Sequence, residues 1–132
     1  MGTIFGSIFL VATALFFLFT AWSSAVAPEK FAARLGLAIA NAGGANEIRS
    51  QYAGFFFAAA IVCALALCGI VPRLTAFAVL AMIFGGLIAG RSASLALNGG
   101  LEGFGPTILA LYVIDGLGFF TAAAMIIAEL KA

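Results

Sequence analysis

Residues 3–27 read TIFGSIFLVATALFFLFTAWSSAVA, an apolar run that contains no charged side chain. A helix needs about 20 mostly apolar residues to cross the hydrocarbon core of a bilayer. Three further runs of similar length follow, at about residues 47–71, 74–97 and 107–128. Together the four runs take up most of the 132 residues. The sequence therefore predicts a single transmembrane domain with four spans and leaves no room for a soluble domain.

The composition of the chain supports the same conclusion. Hydrophobic residues make up 65% of the sequence and charged residues only 8%, against about 45–50% and about 25% in a typical soluble domain. This number of charges is too small to cover the surface of a globular protein in water. The fold is therefore predicted to be an all-α integral membrane bundle of four transmembrane helices. The net charge of +1 gives no reason to expect a nucleic acid partner.

The longest connection between spans covers residues 28–46 and carries its own helical pattern. Apolar side chains recur there at every fourth position: Phe31, Leu35 and Ile39. This spacing, with Pro28 at a first helical position, predicts a short amphipathic helix over about residues 28–41 that lies at the membrane interface. Gly43 and Gly44 are expected to end it, and Asn46 is the predicted N-cap of the second span.

The end of the first span, Ala25-Val26-Ala27, resembles a signal-peptidase site. However, no basic segment precedes the apolar run, the run is too long for a signal peptide, and Pro28 would follow the cut. We therefore expect a retained helix.

Several classes of active site are difficult to build from these residues. The chain has no histidine, the most common metal ligand and general base near neutral pH. Its two cysteines, Cys63 and Cys68, lie five residues apart in one apolar run, which separates them by about 140° around a helix. They are interpreted as packing residues. The sequence thus predicts a non-enzyme with no cofactor and no metal.

Two charged residues lie well inside the predicted spans. Arg91 is about seven residues from the end of the third span, and Asp115 is nine residues into the fourth. At 1.5 Å per residue, both lie roughly 10 to 13 Å from the same membrane face. Charges in hydrocarbon are costly unless they are paired. An Arg91–Asp115 ion pair between consecutive antiparallel spans is therefore predicted.

Glu47 and Arg49 begin the second span from the same side. Being two residues apart, they point about 200° away from each other on a helix. Glu47 shares its side with a polar and small stripe that is predicted to face the bundle centre: Gln51, Gly54 and Ala58. Arg49 shares its side with Tyr52 and is predicted to extend toward the interface.

These residues define a predicted intramembrane polar cluster near one end of the bundle. Its members are Glu47, Arg49, Gln51, Arg91, Ser94, Asn98, Tyr112 and Asp115. Two interpretations remain open. The cluster is either a set of ion pairs and hydrogen bonds that fixes helix register, or a site for a small polar molecule, a lipid headgroup or a proton.

Small residues at helical spacing give a second signal. Gly2 and Gly6 begin the first span, and Gly86 and Gly90 lie in the third. This spacing lets helix backbones approach closely. Packing within the chain would account for it, but a bundle this small also leaves large outward faces. We therefore expect the first span or the Gly86–Gly90 face to contact a second copy or a foreign subunit.

Two stretches carry a resemblance to a known family. Residues 46–54 (NEIRSQYAG) are similar to the Asn-Glu-Leu-Arg-Gly-x-Tyr-Gly-Gly opening of the second span in an uncharacterised family of small bacterial four-helix membrane proteins, a domain-of-unknown-function family. Residues 90–99 (GRSASLALNG) resemble its Gly-Arg-x-x-Ser-Leu and Asp-Gly pattern. This chain departs from the family at Ser50, Ala53 and Asn98. The resemblance implies the fold and a bacterial inner membrane, and it implies no activity.

The function predicted from the sequence is that of a non-enzymatic accessory or interaction protein, acting as an oligomer or as a subunit of a larger membrane assembly. The alternative is a binder or carrier of a small amphiphile or lipid, proton-coupled through Asp115 or Glu47. A lipid- or quinone-modifying enzyme is a third interpretation. The expected partners are membrane lipids and either a second copy or another membrane protein.

Basic residues predict the orientation of the chain. Four of the six (Lys30, Arg34, Arg49 and Arg91) lie on the side of the loops at residues 28–46 and 98–106. By the positive-inside rule, that side is predicted to be cytoplasmic in a multi-pass protein of the inner membrane.

Overall fold

The structure is a computed structural model that describes residues 2–131, with side chains from residue 4 onward. Its helices are α1 (Gly2–Val26), α2 (Pro28–Arg34), α3 (Ala42–Leu67), α4 (Arg73–Asn98) and α5 (Pro106–Leu130). No strand occurs among residues 2–131. All helices except α2 are long and apolar enough to cross a membrane. The prediction of an all-α chain with four candidate spans is confirmed.

Helix α2 follows the first span as predicted but is shorter than expected. It ends at Arg34 rather than near residue 41. Gly36 adopts a left-handed φ of +75°, and the Leu37 N–H donates to the Ala32 carbonyl at 2.9 Å. Gly36 itself donates to the Ala33 carbonyl at 3.1 Å. This pair of bonds is the Schellman motif, which satisfies the last carbonyls of a helix and stops it.

Helix α3 begins at Ala42, five residues before the predicted start at Glu47, so the predicted break at Gly43 and Gly44 and the predicted N-cap at Asn46 are wrong. The N-cap is Asn41, whose side-chain oxygen accepts a hydrogen bond from the Gly44 N–H at 3.1 Å. Because this cap satisfies the Gly44 N–H, Gly43 and Gly44 can form part of the first turn of α3. At its other end α3 stops at Leu67 rather than Val71, because Gly69 at φ +72° forms a second Schellman motif.

A π-helical turn interrupts α3 over Arg49–Gly54. The Phe55 N–H donates to the Ser50 carbonyl, five residues back instead of four. Such a turn amounts to one residue inserted into an α-helix, and it rotates everything beyond it by about 100°. Residues before and after 49–54 therefore do not share a face of α3 in the way that regular α-helical spacing would predict.

The chain divides into two compact units, the first covering residues 3–71. In this unit α1 buries one stripe along its length: Gly6, Leu10, Thr13, Phe17, Ala21 and Ser24. The Phe17 ring lies 5.0 Å from that of Phe56, and the Phe31 ring lies 4.9 Å from that of Tyr52. Helices α1 and α2 thus both pack against α3 through aromatic side chains.

The second unit begins at Pro72 and is an antiparallel hairpin of α4 and α5. Its helices interlock through two neighbouring glycine and phenylalanine pairs. A Cβ atom added to Gly118 would lie 2.7 Å from the Phe84 ring, and one added to Gly85 would lie 3.1 Å from the Phe119 ring. The rings therefore occupy the space that a side chain would need. At the open end of the hairpin, Arg73 Nε lies 3.7 Å from Glu129 Oε1.

Candidate functional site

The hairpin places the predicted ion pair inside the second unit. Arg91 Nε donates to Asp115 Oδ2 at 2.6 Å. Asp115 is only 2% exposed, whereas the Arg91 side chain is 20% exposed. The predicted Arg91–Asp115 contact is therefore confirmed. A buried carboxylate needs such a partner, because an unpaired charge in an apolar environment is strongly disfavoured.

Tyr112 completes this group one turn before Asp115. Its hydroxyl donates to the Arg91 carbonyl at 2.6 Å, and its ring centre lies 5.8 Å from the Arg91 guanidinium carbon. The Phe104 ring, from the loop between α4 and α5, stacks on Tyr112 at 6.1 Å. The guanidinium group is thus fixed by a carboxylate at one atom and by an aromatic face.

Two other predicted members of the cluster lie on α4 but do not join this group. Ser94 and Asn98 are exposed, and neither side chain has a hydrogen-bond partner among residues 2–131. Around the helix axis, Ser94 lies about 60° and Asn98 about 20° from Arg91. Along the axis, both lie between Arg91 and the C-terminal end of α4. The structure thus places them beside Arg91 on an open helix surface.

The remaining predicted members, Glu47, Arg49 and Gln51, belong to the first unit, and the orientation of the Glu47 stripe toward the bundle centre stays a prediction. Glu47, Gln51, Gly54 and Ala58 are all exposed. The prediction assumed regular helical spacing across the π-helical turn. The buried residues on α3 include Ile48 and Phe56, which are eight residues apart. On a regular α-helix their directions around the axis would differ by about 80°. The residue inserted at the π-helical turn reduces this difference to about 20°. That Glu47 is the next nearest charge to Arg91 stays a prediction.

Arg49 has a defined partner in the first unit. Its Nε donates to the Ala25 carbonyl at 3.1 Å, near the end of α1, while the residue stays exposed. The last carbonyls of a helix have no partner within the helix, so the Arg49 side chain satisfies one of them. Its positive charge also interacts favourably with the negative C-terminal end of the helix dipole.

Sequence reasoning missed two contacts of the hairpin. Phe104 stacks on Tyr112 from a loop, and its position between Gly103 and Gly105 was the only available signal of an anchored side chain. Arg73 and Glu129 form the second missed contact, and each lies just outside a predicted span. The antiparallel arrangement that predicted Arg91 with Asp115 also places residue 73 opposite residue 129.

The two faces predicted for association differ in the structure. Gly6 and Thr13 of α1 are buried within the chain, so this part of the first span is not available to a partner. Gly2 lies among the residues whose side-chain environment the structure does not describe. By contrast, Gly86 and Gly90 are exposed, and a Cβ added to either would meet no atom within 4 Å.

Comparison with known proteins places the chain in a family. It belongs to the family described as "Domain of unknown function (DUF4345)", which matches residues 6–113. The recognition of a domain-of-unknown-function family from the sequence is thereby confirmed. The matched region includes Glu47, Arg49 and Arg91 and ends two residues before Asp115. Searches of the curated proteins and of the solved structures give no match.

Proposed function

We propose that this member of the DUF4345 family is a non-enzymatic membrane protein that acts by binding a second membrane protein, either another copy or a foreign subunit. The proposed contact is one exposed side of α4, the glycine face. Its members are Met82, Gly86, Gly90, Ala93 and Leu97. In this proposal the protein lies in a bacterial inner membrane with the loops at residues 28–46 and 98–106 in the cytoplasm.

The observation that carries the proposal is the contrast between the glycines of one hairpin. Gly85 and Gly118 are each covered by a phenylalanine ring from the opposite helix. Gly86 and Gly90 have nothing within 4 Å of the position of an added Cβ. In lipid the association of helices depends on close packing rather than on hydrophobicity, and exposed small residues permit that packing. A Gly-x-x-x-Gly surface left open by its own chain is suited to a second helix.

The ion pair is consistent with this role. Asp115 is buried and engaged by Arg91, and Tyr112 bonds to the Arg91 backbone. These contacts join α4 to α5 and would hold the glycine face in a fixed orientation. No step of chemistry is required of them in this proposal.

Crosslinking in native membranes tests the proposal. Cys63 and Cys68 are first replaced by alanine, and a single reporter cysteine is introduced by Met82→Cys at one end of the glycine face. Phe120→Cys is the matched control, because Phe120 is 71% exposed and Met82 77% exposed, on the other helix of the hairpin. We expect an adduct from Met82→Cys, to a differently tagged copy or to another protein, and none from Phe120→Cys.

The variant Gly86→Leu then distinguishes specific association from collision. Since nothing lies within 4 Å of the added Cβ, the variant should fold, but its side chain would keep a second backbone away. Loss of the Met82→Cys adduct in this background supports the proposal. Equal adducts from both reporters, or an adduct that Gly86→Leu does not reduce, would refute it.

A further inference from the structure

The ion pair leaves most of the Arg91 guanidinium without a partner. A guanidinium group has five N–H donors, and only the Nε donor is used, toward Asp115. The two terminal nitrogens have no hydrogen-bond partner among residues 2–131. Because the side chain is 20% exposed, part of it reaches the surface of the chain. Donors that face an apolar environment without an acceptor are costly, so an acceptor from outside the chain would be favoured.

The surrounding contacts fix the direction in which these donors point. Asp115 holds Nε, and the Tyr112 ring lies 5.8 Å from the guanidinium carbon. Tyr112 is itself held by its bond to the Arg91 carbonyl and by the Phe104 ring. A guanidinium group constrained in this way loses little conformational entropy when it binds a further ligand.

Polar groups also continue from Arg91 toward the end of α4. Ser94 and Asn98 are exposed on the same side of the helix, and their side chains have no hydrogen-bond partner among the described residues. The stretch from residue 91 to residue 98 rises by about 10 Å. A hydroxyl and an amide thus lie between Arg91 and the helix end, where a bilayer holds its polar headgroups.

We propose that Arg91, Ser94 and Asn98 bind the anionic headgroup of a phospholipid. The planar terminal edge of an arginine matches two oxygens of a phosphate group, while Asp115 occupies the separate Nε position. Leu109 is exposed on the first turn of α5, and it provides apolar surface for an attached acyl chain. This site uses different side chains from the glycine face, which it adjoins at Gly90 and Ser94, and the inference does not rest on the proposed association.

Lipid retention tests the inference. The protein is reconstituted in nanodiscs that contain phosphatidylglycerol and phosphatidylcholine, extracted gently, and analysed by native mass spectrometry for bound lipid. We expect phosphatidylglycerol to be retained in preference to phosphatidylcholine. The double variant Ser94→Ala/Asn98→Ala should weaken that retention by about tenfold, the effect of two lost hydrogen bonds, without changing the unfolding temperature. Ser92→Ala is the matched control, because Ser92 is exposed on another side of the same helix.

A second variant examines the arginine itself. Arg91→Lys keeps the charge beside Asp115 but lacks the planar fork that a phosphate group would bind. We expect it to fold and to lose the preference for phosphatidylglycerol. Equal retention of the two lipids by the original protein, or retention unchanged in both variants, would overturn the proposal.

Inorganic phosphate distinguishes a lipid from a soluble anion. It is added to the protein in nanodiscs of phosphatidylcholine alone, and thermal unfolding is followed. We expect no shift of the unfolding temperature. A shift as large as that produced by phosphatidylglycerol would show a site for soluble anions and would refute the lipid assignment. Because the Met82→Cys adduct is not measured in this experiment, the association can fail without affecting it.

Discussion

Arg91 Nε lies 2.6 Å from Asp115 Oδ2, across the two helices of the hairpin and 24 positions apart in the sequence. The same two helices are joined by the Arg73–Glu129 contact at their other end. The hairpin thus carries an arginine of α4 opposite an acid of α5 near each end. Sliding one helix along the other by a turn would separate both pairs, so the charges specify the register.

The first prediction concerns this pair. Asp115→Ala should lower the free energy of unfolding by about 3–5 kcal/mol, because it leaves the Arg91 charge without its partner in an apolar environment. The double variant Arg91→Met/Asp115→Leu should recover most of the loss, since no charge then remains to be desolvated. Reversible unfolding in mixed micelles measures both. A double variant that is less stable than Asp115→Ala would contradict the expectation.

The second prediction concerns the contact between Phe84 and Gly118. Gly118→Ala should destabilise the hairpin by about 1–3 kcal/mol, because the new methyl group would lie 2.7 Å from the Phe84 ring. Gly116→Ala is the matched control on the same helix, since no atom lies within 4 Å of its added Cβ. Thermal unfolding of the two variants under identical conditions is the measurement. Equal stability of the two would show that the ring does not depend on a glycine at residue 118.

The third prediction tests the π-helical turn by deleting single residues. Deleting Ser50 converts Arg49–Gly54 into a regular α-helical turn and keeps Ile48 and Phe56 on one face, so the chain should still fold. Deleting Ala58, which is exposed like Ser50, rotates the helix beyond it by about 100° and moves Cys63 away from the face of Phe56. We expect this second deletion to prevent folding. Yield and monodispersity in mild detergent distinguish the two, and equal behaviour would argue against an inserted residue.

The fourth prediction concerns the hydrogen bond from Arg49 to the Ala25 carbonyl. Arg49→Ala should lower the free energy of unfolding by about 1.5–3 kcal/mol, the contribution of a hydrogen bond from a charged donor. Arg34→Ala is the control, because Arg34 is exposed at the end of α2 and has no ion pair or side-chain hydrogen bond among residues 2–131. The comparison is made by chemical denaturation in micelles. If both substitutions lower the free energy of unfolding equally, the hydrogen bond to the Ala25 carbonyl does not contribute to stability.

The fifth prediction concerns orientation. In intact bacterial cells a membrane-impermeant maleimide should label a cysteine introduced by Ile70→Cys and should label Leu37→Cys only after lysis. Both residues are exposed and lie in connections between helices, and the native cysteines are replaced as before. The reason is the excess of basic residues on the side of Leu37. The opposite labelling pattern would reverse the proposed topology.

Sequence alone determined the number of candidate spans, the all-helical fold and the pairing of Arg91 with Asp115. Hydropathy adds up along a local segment, so the predicted ends of α1, α4 and α5 lie within two residues of those in the structure. The ion pair followed from two depths along consecutive antiparallel helices, which depend only on residue counts.

The tertiary structure alone decided which faces the helices use. The π-helical turn adds a residue to a repeat that the sequence presents as regular, and it brings Ile48 and Phe56 onto one buried side of α3. Gly86 and Gly118 are alike in the sequence, yet a ring covers Gly118 and leaves Gly86 open. Such differences depend on which side chain of another helix lies opposite, and that information is set by packing between distant residues rather than by any local pattern.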